Sequence, residues 1–134
     1  MGLQTKIIGV VSDGAPMYAL SFKAGRPVSA PVTTIIADGM ACRVPDEGAV
    51  AIMCENVDHI VQVSDDEVRA AMKTYFVATH NVVEGAGAAS LAAALQEKDK
   101  LAGRRVGIVA TGGNVDHDVF AAVLNPAVLN EQAH

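Results

Sequence analysis

Aromatic residues make up only 4% of the 134-residue chain and tryptophan is absent, although 51% of the residues are hydrophobic. Small and β-branched aliphatic side chains must therefore fill the core, which suits helices packed on a sheet better than an all-β sandwich. Basic residues are scarce as well: ten Lys and Arg stand against fifteen Asp and Glu, for a formal net charge of −5. That balance argues against nucleic acid as a partner, because phosphate binding needs concentrated Lys and Arg. There is no CxxC pair; Cys42 and Cys54 lie apart in the chain and read as two buried thiols in a reducing compartment. The opening MGLQTKII lacks the long apolar stretch and small-residue cleavage site of a signal peptide. The longest low-polarity run, AGAASLAAAL, is too short to span a bilayer. The expectation is a soluble, cytoplasmic protein without a membrane partner, folded as one domain over residues 1–134.

What is present is an alternation of strand-like and helix-like segments. KIIGVV (6–11) is a continuous β-branched run ended by the turn signal SDG, the pattern of a buried strand. APMYALSFKAG (15–25) has helical character and exits at Gly25, with Pro27 just beyond. A loop with two prolines follows, then TIIADGM with a turn at Asp38-Gly39, and an extended segment around Cys42 to Val44. Residues 46–56 read as a helix with Ala49, Ile52 and Met53 on one side, and HIVQVS (59–64) as a strand. Ser64 precedes Glu67 by the three-residue spacing of a capping box, so the periodic run Val68, Met72, Tyr75, Phe76, Thr79 predicts a helix over 65–79. VVEGAGAASLAAALQ (82–96) enters a helix that is small and apolar nearly all round, hence buried. RRVGIVATGGNVDHDVF gives a strand over 105–110, a Gly-rich turn and a final helix. This order predicts an α/β fold: a three-layer, mostly parallel sheet flanked by helices, with ligands at the carboxyl ends of the strands.

Three turns are therefore the places to look, at 12–14, 38–40 and 111–114. Thr111-Gly112-Gly113-Asn114 could offer amides and a hydroxyl to a polar ligand, or could simply need glycine for its backbone. Glu84 stands between Val83 and the Gly/Ala-rich helix, where a carboxylate needs a partner unless it only complements the helix dipole. Asp38-Gly39 is by itself an ordinary turn dipeptide. His59, His80, His117 and His134 are scattered. His117 between Asp116 and Asp118 raises a metal site, but consecutive helical residues cannot converge on one ion.

Taken together, GVVSDGAPMYALSFKAGRP, TIIADGMACRVP, VSDDEVRAAM, VVEGAGAASLAAAL and VATGGNVD resemble the C-terminal part of fold-type II pyridoxal phosphate (PLP) enzymes, above all the threonine dehydratases (threonine/serine ammonia-lyases) and serine racemases. The five blocks run from Lys6 to about Phe120. The resemblance implies a partial large domain of that fold and three roles. Thr111, with Gly112 in the same turn, matches the Ser/Thr whose hydroxyl meets the pyridine nitrogen of PLP. A neutral hydroxyl there suits β-elimination of water followed by release of ammonia. Glu84 matches the glutamate opening an E-P-A-G-A segment near the cofactor, with Gly85 in place of the proline. Gly39 matches the glycine of an A-D-G whose backbone lines the pocket.

The departures are as informative. The family carries its Schiff-base lysine in S-F-K-x-R-G and its phosphate in a tetraglycine loop, both upstream of every block found here, and neither occurs in this sequence. Lys23, in ALSFKAGRP, aligns instead with a late helix end, so a solvated lysine is expected and no catalytic residue is assigned. The family's divalent-cation positions read Val11 and Met17 here, so no metal is expected. The resulting expectation is a truncated threonine dehydratase-like protein. Its parent reaction turns L-threonine or L-serine into a 2-oxo acid and ammonia. Alone it is expected to be inactive and to bind no cofactor. The alternative is a non-catalytic, self-associating or small-ligand-binding module of the same fold. Either way a homo-oligomer is expected, a dimer or larger, since losing part of the fold uncovers sheet edges and apolar surface. A separate chain supplying the missing N-terminal part is the other partner considered.

Overall fold

The computed structural model describes residues 4–125, which fall into two compact units, residues 1–65 and 66–134. His134 lies outside the described residues.

The first unit is built on a parallel pair of strands, β1 (Ile7–Ser12) and β2 (Val57–Val63). Both are rich in Val and Ile, and Val11, Val61 and Val63 are buried. Ile7 pairs with Val57 but Ile8 pairs with His59, so Asp58 is an extra residue in the ladder. Its carboxylate receives Lys6 Nζ at 2.7 Å and lies 2.9 Å from His59 Nδ1. The Lys6 hydrogen bond first, then that of His59, holds the Asp58 carboxyl below its ordinary range.

A parallel pair cannot be closed by a hairpin, and here α1 (Met17–Ala24) and α2 (Glu47–Asn56) lie in the crossover. Gly25 ends α1 in the left-handed conformation at φ 65°, as the Gly-x-Pro exit predicted. Ser21, buried on α1, donates to the Met17 carbonyl at 2.8 Å and accepts the Val28 amide at 2.9 Å. It thereby ties the chain leaving the helix back to the helix. Two residues on, Lys23 is exposed in the last turn, where the helix dipole favours a cation. The serine of ALSFKAGRP is the structural residue of that string.

Asp46 caps α2, its Oδ1 accepting the Ala49 amide at 2.8 Å. The buried face of α2 is centred on Val50, and Ile52 is 65% exposed. Periodicity had placed the apolar arc on Ala49, Ile52 and Met53; Val50, next to Met53 around the helix, takes the centre instead. The segment around Cys42 to Val44 is irregular and forms no strand. Both cysteines are free and exposed, which corrects the expectation of buried thiols. Cys54 stands one turn beyond Val50 near the end of α2, its Sγ 4.0 Å from the Phe22 carbonyl oxygen yet still exposed, and Cys42 lies in the irregular loop after the 3-10 turn.

The second unit is helical: α3 (Asp65–Thr79), whose first residue belongs to the first unit, α4 (Gly85–Gln96), the short α5 (Lys98–Leu101) and α6 (His117–Leu124). Val68, Ala71 and Met72 of α3 are fully buried, while Tyr75 and Phe76 are half-buried. Phe76 meets Phe120 of α6 edge-on, with centroids 5.6 Å apart. On α4, Gly85, Gly87, Ala88, Ala89, Ala92 and Ala93 are buried, but Leu95 is 47% exposed, so the helix is covered along one side and not all round as expected. Residues 105–110 run without a strand partner, so the strand expected there lacks the ladder that defines one. The final helix begins at His117, after Asp116 at its N-cap position. The Thr111–Asn114 turn therefore precedes it by two residues rather than opening it. A parallel sheet with helices beside it is nevertheless what the chain builds, and the α/β class holds.

Ser21→Ala leaves the Val28 amide without its acceptor and should cost about 1–3 kcal/mol in denaturant unfolding, whereas Lys23→Ala should stay within about 0.5 kcal/mol. Because the folded-state pKa of Asp58 is lowered, its stabilising effect is present at neutral pH and fades as pH falls through the carboxylate range to that lowered value. Asp58→Asn should flatten that part of the acid side of the stability curve, measured by urea unfolding at a series of pH values.

Candidate functional site

In the first unit the carboxyl ends of the strands carry a built loop. Asp13 donates its amide to Val63 O at 2.9 Å, so the chain turns as it leaves β1. Ser12, buried at the end of β1, accepts the Gly14 amide on its hydroxyl at 3.1 Å. The Gly14 carbonyl in turn accepts the Thr33 amide at 2.7 Å. Asp65 receives the Thr34 hydroxyl at 2.5 Å and the Ile35 amide at 3.0 Å. These bonds hold residues 33–35 beside the first turn, and Ala37 is fully buried. The next residues, Asp38–Met40, form a 3-10 turn that leaves Gly39 exposed. Gly39 is thus displayed by an anchored loop. The anchors, Thr34 and Asp65, were not singled out from the sequence, because a threonine and an aspartate 31 positions apart carry no local signal.

The second unit brings Glu84 and the Thr111–Asn114 turn together. The Glu84 amide donates to the Gly112 carbonyl at 3.0 Å, immediately before α4 begins. Its half-buried carboxylate lies over Gly112: a Cβ on that residue would stand 2.5 Å from Glu84 Oε1. A Cβ on Gly113 would stand 2.7 Å from the Val82 carbonyl oxygen, and one on Gly87 would stand 3.0 Å from the Gly112 carbonyl oxygen. Gly113 is therefore required by close approach of the Val82 backbone and Gly87 by that of Gly112, whereas a Cβ at Gly112 would meet only the Glu84 side chain. Thr111 is exposed, and among the described residues of this unit its hydroxyl has no hydrogen-bond partner. The Glu84 carboxylate stands at the N-cap of α4 without a side-chain bond to the helix, a place where its charge still complements the helix dipole.

The arrangement is an exposed hydroxyl, a carboxylate and a glycine-lined backbone on one turn. That set can receive a polar, planar group from one side: a donor at Thr111, flat backbone at Gly112, an acceptor at Glu84. His117 belongs to neither cluster, and its Nε2 lies 2.9 Å from Asp118 Oδ1. Among the described residues no group of three potential ligands could hold a metal ion. A pocket of about 240 Å³, lined by Glu67, Ala70, Ala92, Leu95 and Gln96, touches none of these residues. No helix among the described residues is long and apolar enough to cross a membrane.

A sequence model of the family described as pyridoxal-phosphate dependent enzyme matches residues 1–112. The chain belongs to that family. Among curated proteins it is similar to an L-threonine ammonia-lyase of Geobacter sulfurreducens, 37% identical over 120 residues, covering 89% of this chain and 30% of that protein. It is also similar to a phenylserine dehydratase of Ralstonia pickettii, 38% identical, covering 88% of this chain and 36% of that one. Of solved structures, the processed form of threonine deaminase isoform 2 from Solanum lycopersicum superposes with a TM-score of 0.80. The two are 32% identical, and the match covers 89% of this chain and 35% of that one. The chain thus spans roughly a third of the length of the relatives it matches, and within that third it is a threonine dehydratase-like piece of a fold-type II PLP enzyme.

Gly113→Ala must displace the Val82 carbonyl and should destabilise by about 1–3 kcal/mol. Gly112→Ala meets only the mobile end of Glu84 and should cost under about 1 kcal/mol, and Thr111→Ala under about 0.5 kcal/mol. Thermal unfolding of the three variants checks this order, and equal losses would contradict the close approach.

Proposed function

We propose that this chain forms the ring-side wall of a threonine dehydratase-like active site and performs no lyase chemistry alone. The observation that carries this reading is the close contact that sets Glu84 over Gly112 beside the exposed hydroxyl of Thr111. Those residues fit PLP: a planar ring can lie against backbone that has no Cβ, with a hydrogen-bond donor available at its edge. When bound, PLP supplies the electron sink for loss of a substrate's α-proton and β-hydroxyl. Thr111 would donate a hydrogen bond to the ring nitrogen, and as a neutral group it adds no charge there. Glu84 would accept from polar substituents on the same side; Gly39, on the anchored loop of the first unit, would separately offer exposed backbone to a ligand. The substrate class, by similarity to the relatives, is a small β-hydroxy amino acid such as L-threonine or L-serine, in a cytoplasmic setting.

The covalent and phosphate-holding groups are not in this sequence, and Lys23 does not replace the first. It sits at an exposed helix end, where nothing presents it to a ring. The remaining parts of the active site would come from further polypeptide of the family fold. A second reading, self-association into a dimer or larger assembly, is favoured by the apolar side chains left open on the first unit, Ile35, Val44 and Ile52 at 80%, 75% and 65% exposure. A stable monomer at micromolar concentration by light scattering would sink that second reading.

Incubation with PLP followed by borohydride should leave every lysine unmodified by mass spectrometry, and L-threonine should yield no 2-oxo acid. A lysine adduct, at Lys23 or elsewhere, together with turnover, would overturn the proposal. Adding the rest of a family fold should restore turnover, and Thr111→Ala should then lower kcat by about 10-fold or more, as loss of a positioned donor does.

A further inference from the structure

Aromatic rings are scarce in this chain, three Phe and two Tyr in all, yet the second unit sets two of the Phe against each other. Phe76 of α3 meets Phe120 of α6 at 80°, and it also meets the His80 ring, with centroids 6.3 Å apart and planes at 41°. Both separations fall in the range of attractive ring pairs. His80 is the one non-glycine residue with positive φ among the described residues, at 59°. A chain that needed only that turn at the end of α3 would take glycine there without strain. Histidine adds a ring, and the ring reaches Phe76.

From this cluster two arms of equal length run to the candidate site. One goes from Phe76 to Glu84. Along it the His80 amide donates to the Phe76 carbonyl at 2.9 Å, and the Asn81 amide donates to the Thr79 hydroxyl at 3.3 Å. The other goes from Phe120 back to Gly112. Along it the Phe120 amide donates to the Asp116 carbonyl at 3.0 Å, and the Val115 amide to the Gly113 carbonyl at 3.0 Å. The arms meet again where the Glu84 amide donates to the Gly112 carbonyl and the Val82 carbonyl closes on Gly113. The path is a closed ring, with the backbone contact of the site at one end and the Phe76–Phe120 contact at the other. Fixing a loop at a second point removes conformations in which its arms part.

We propose that Phe76, paired with Phe120 and braced by His80, is a positioning residue that holds the two arms together and thereby sets Glu84 over Gly112. The inference rests on the proposed function in treating Glu84 and the 111–114 turn as the site, while the clamp itself is measurable with no ligand present. Core burial alone does not account for the arrangement. Phe76 and Phe120 are only half-buried and His80 is exposed, whereas the fully buried residues of α3 are Val68, Ala71 and Met72, a turn or more toward its start. What the rings supply is a preferred edge-on geometry, which aliphatic side chains lack.

Amide hydrogen exchange of the chain, read residue by residue by NMR without PLP or substrate, tests the clamp. The reporter is the Glu84 amide, and the reference is the Glu97 amide, which donates to the Ala93 carbonyl at the far end of α4. Phe76→Leu and Phe120→Leu should each raise the ratio of Glu84 to Glu97 exchange about threefold to tenfold, the worth of one ring pair. Phe76→Tyr, which keeps the ring, should keep the parent ratio. The double leucine variant should raise it no further than either single one, since both remove the same contact. His80→Asn changes an exposed side chain and keeps a residue type that tolerates positive φ; it should raise the ratio about twofold at an unchanged melting temperature. An unchanged ratio in Phe76→Leu, or in His80→Asn should the leucine variants not fold, overturns the proposal, and so do leucine effects that multiply in the double variant. Turnover of a completed family fold that survives Thr111→Ala would sink the active-site reading and leave the clamp standing.

Discussion

Two strands running the same way cannot be joined by a tight turn, and the first unit is organised by that constraint. Between Ser12 and Val57 the chain has to return the full length of the sheet, and α1 and α2 lie on that return. The crossover leaves both carboxyl ends at one side, where Asp13 pairs with Val63 and the 33–35 loop docks on Gly14 and Asp65. The displayed turn at Gly39 is thus a consequence of the parallel ladder. Without the ladder neither Gly14 nor Asp65 would have a defined position from which to hold it.

The same requirement explains where reading the sequence succeeded and where it did not. KIIGVV and HIVQVS are legible as strands because β-branched runs between turn signals have few alternatives, and each found the other as partner. RRVGIVA carries the same signal, but pairing is a property of two segments, and composition reports only one. Helices needed no partner to be recognised: α3 and α4 appear where periodicity and small-residue content put them. The centre of a buried face was less legible, as Val50 in place of Ile52 shows, because several adjacent apolar residues satisfy one period equally. The exposed cysteines had no signal at all, since a thiol is compatible with either environment.

At the candidate site, residue types were legible and their contacts were not. Glu84, Thr111 and Gly112 stood out through the family resemblance and through the cost of a carboxylate beside an apolar helix. The reason for two consecutive glycines became visible only when Glu84 and Val82 were found against them. Gly87 is the instructive omission. In a run as rich in glycine and alanine as EGAGAASLAAAL it looks interchangeable with its neighbours, yet a Cβ there would strike both Val83 and Gly112.

That contact also bears on Gly85, which stands where the family resemblance sets a proline. Proline at the first helical position restricts the unfolded chain and presets the helix φ, whereas glycine widens the unfolded ensemble by an amount worth about 0.4–1 kcal/mol. Here the entry to α4 is held from outside instead. The Glu84 amide is taken by the Gly112 carbonyl at 3.0 Å, and Gly87 lets the two backbones close. Rigidity that a proline would build into one chain segment is in this protein shared between two. The geometry of Glu84 therefore depends on the 111–114 turn being in place, and the turn depends on Glu84. A ligand that orders either segment must order both.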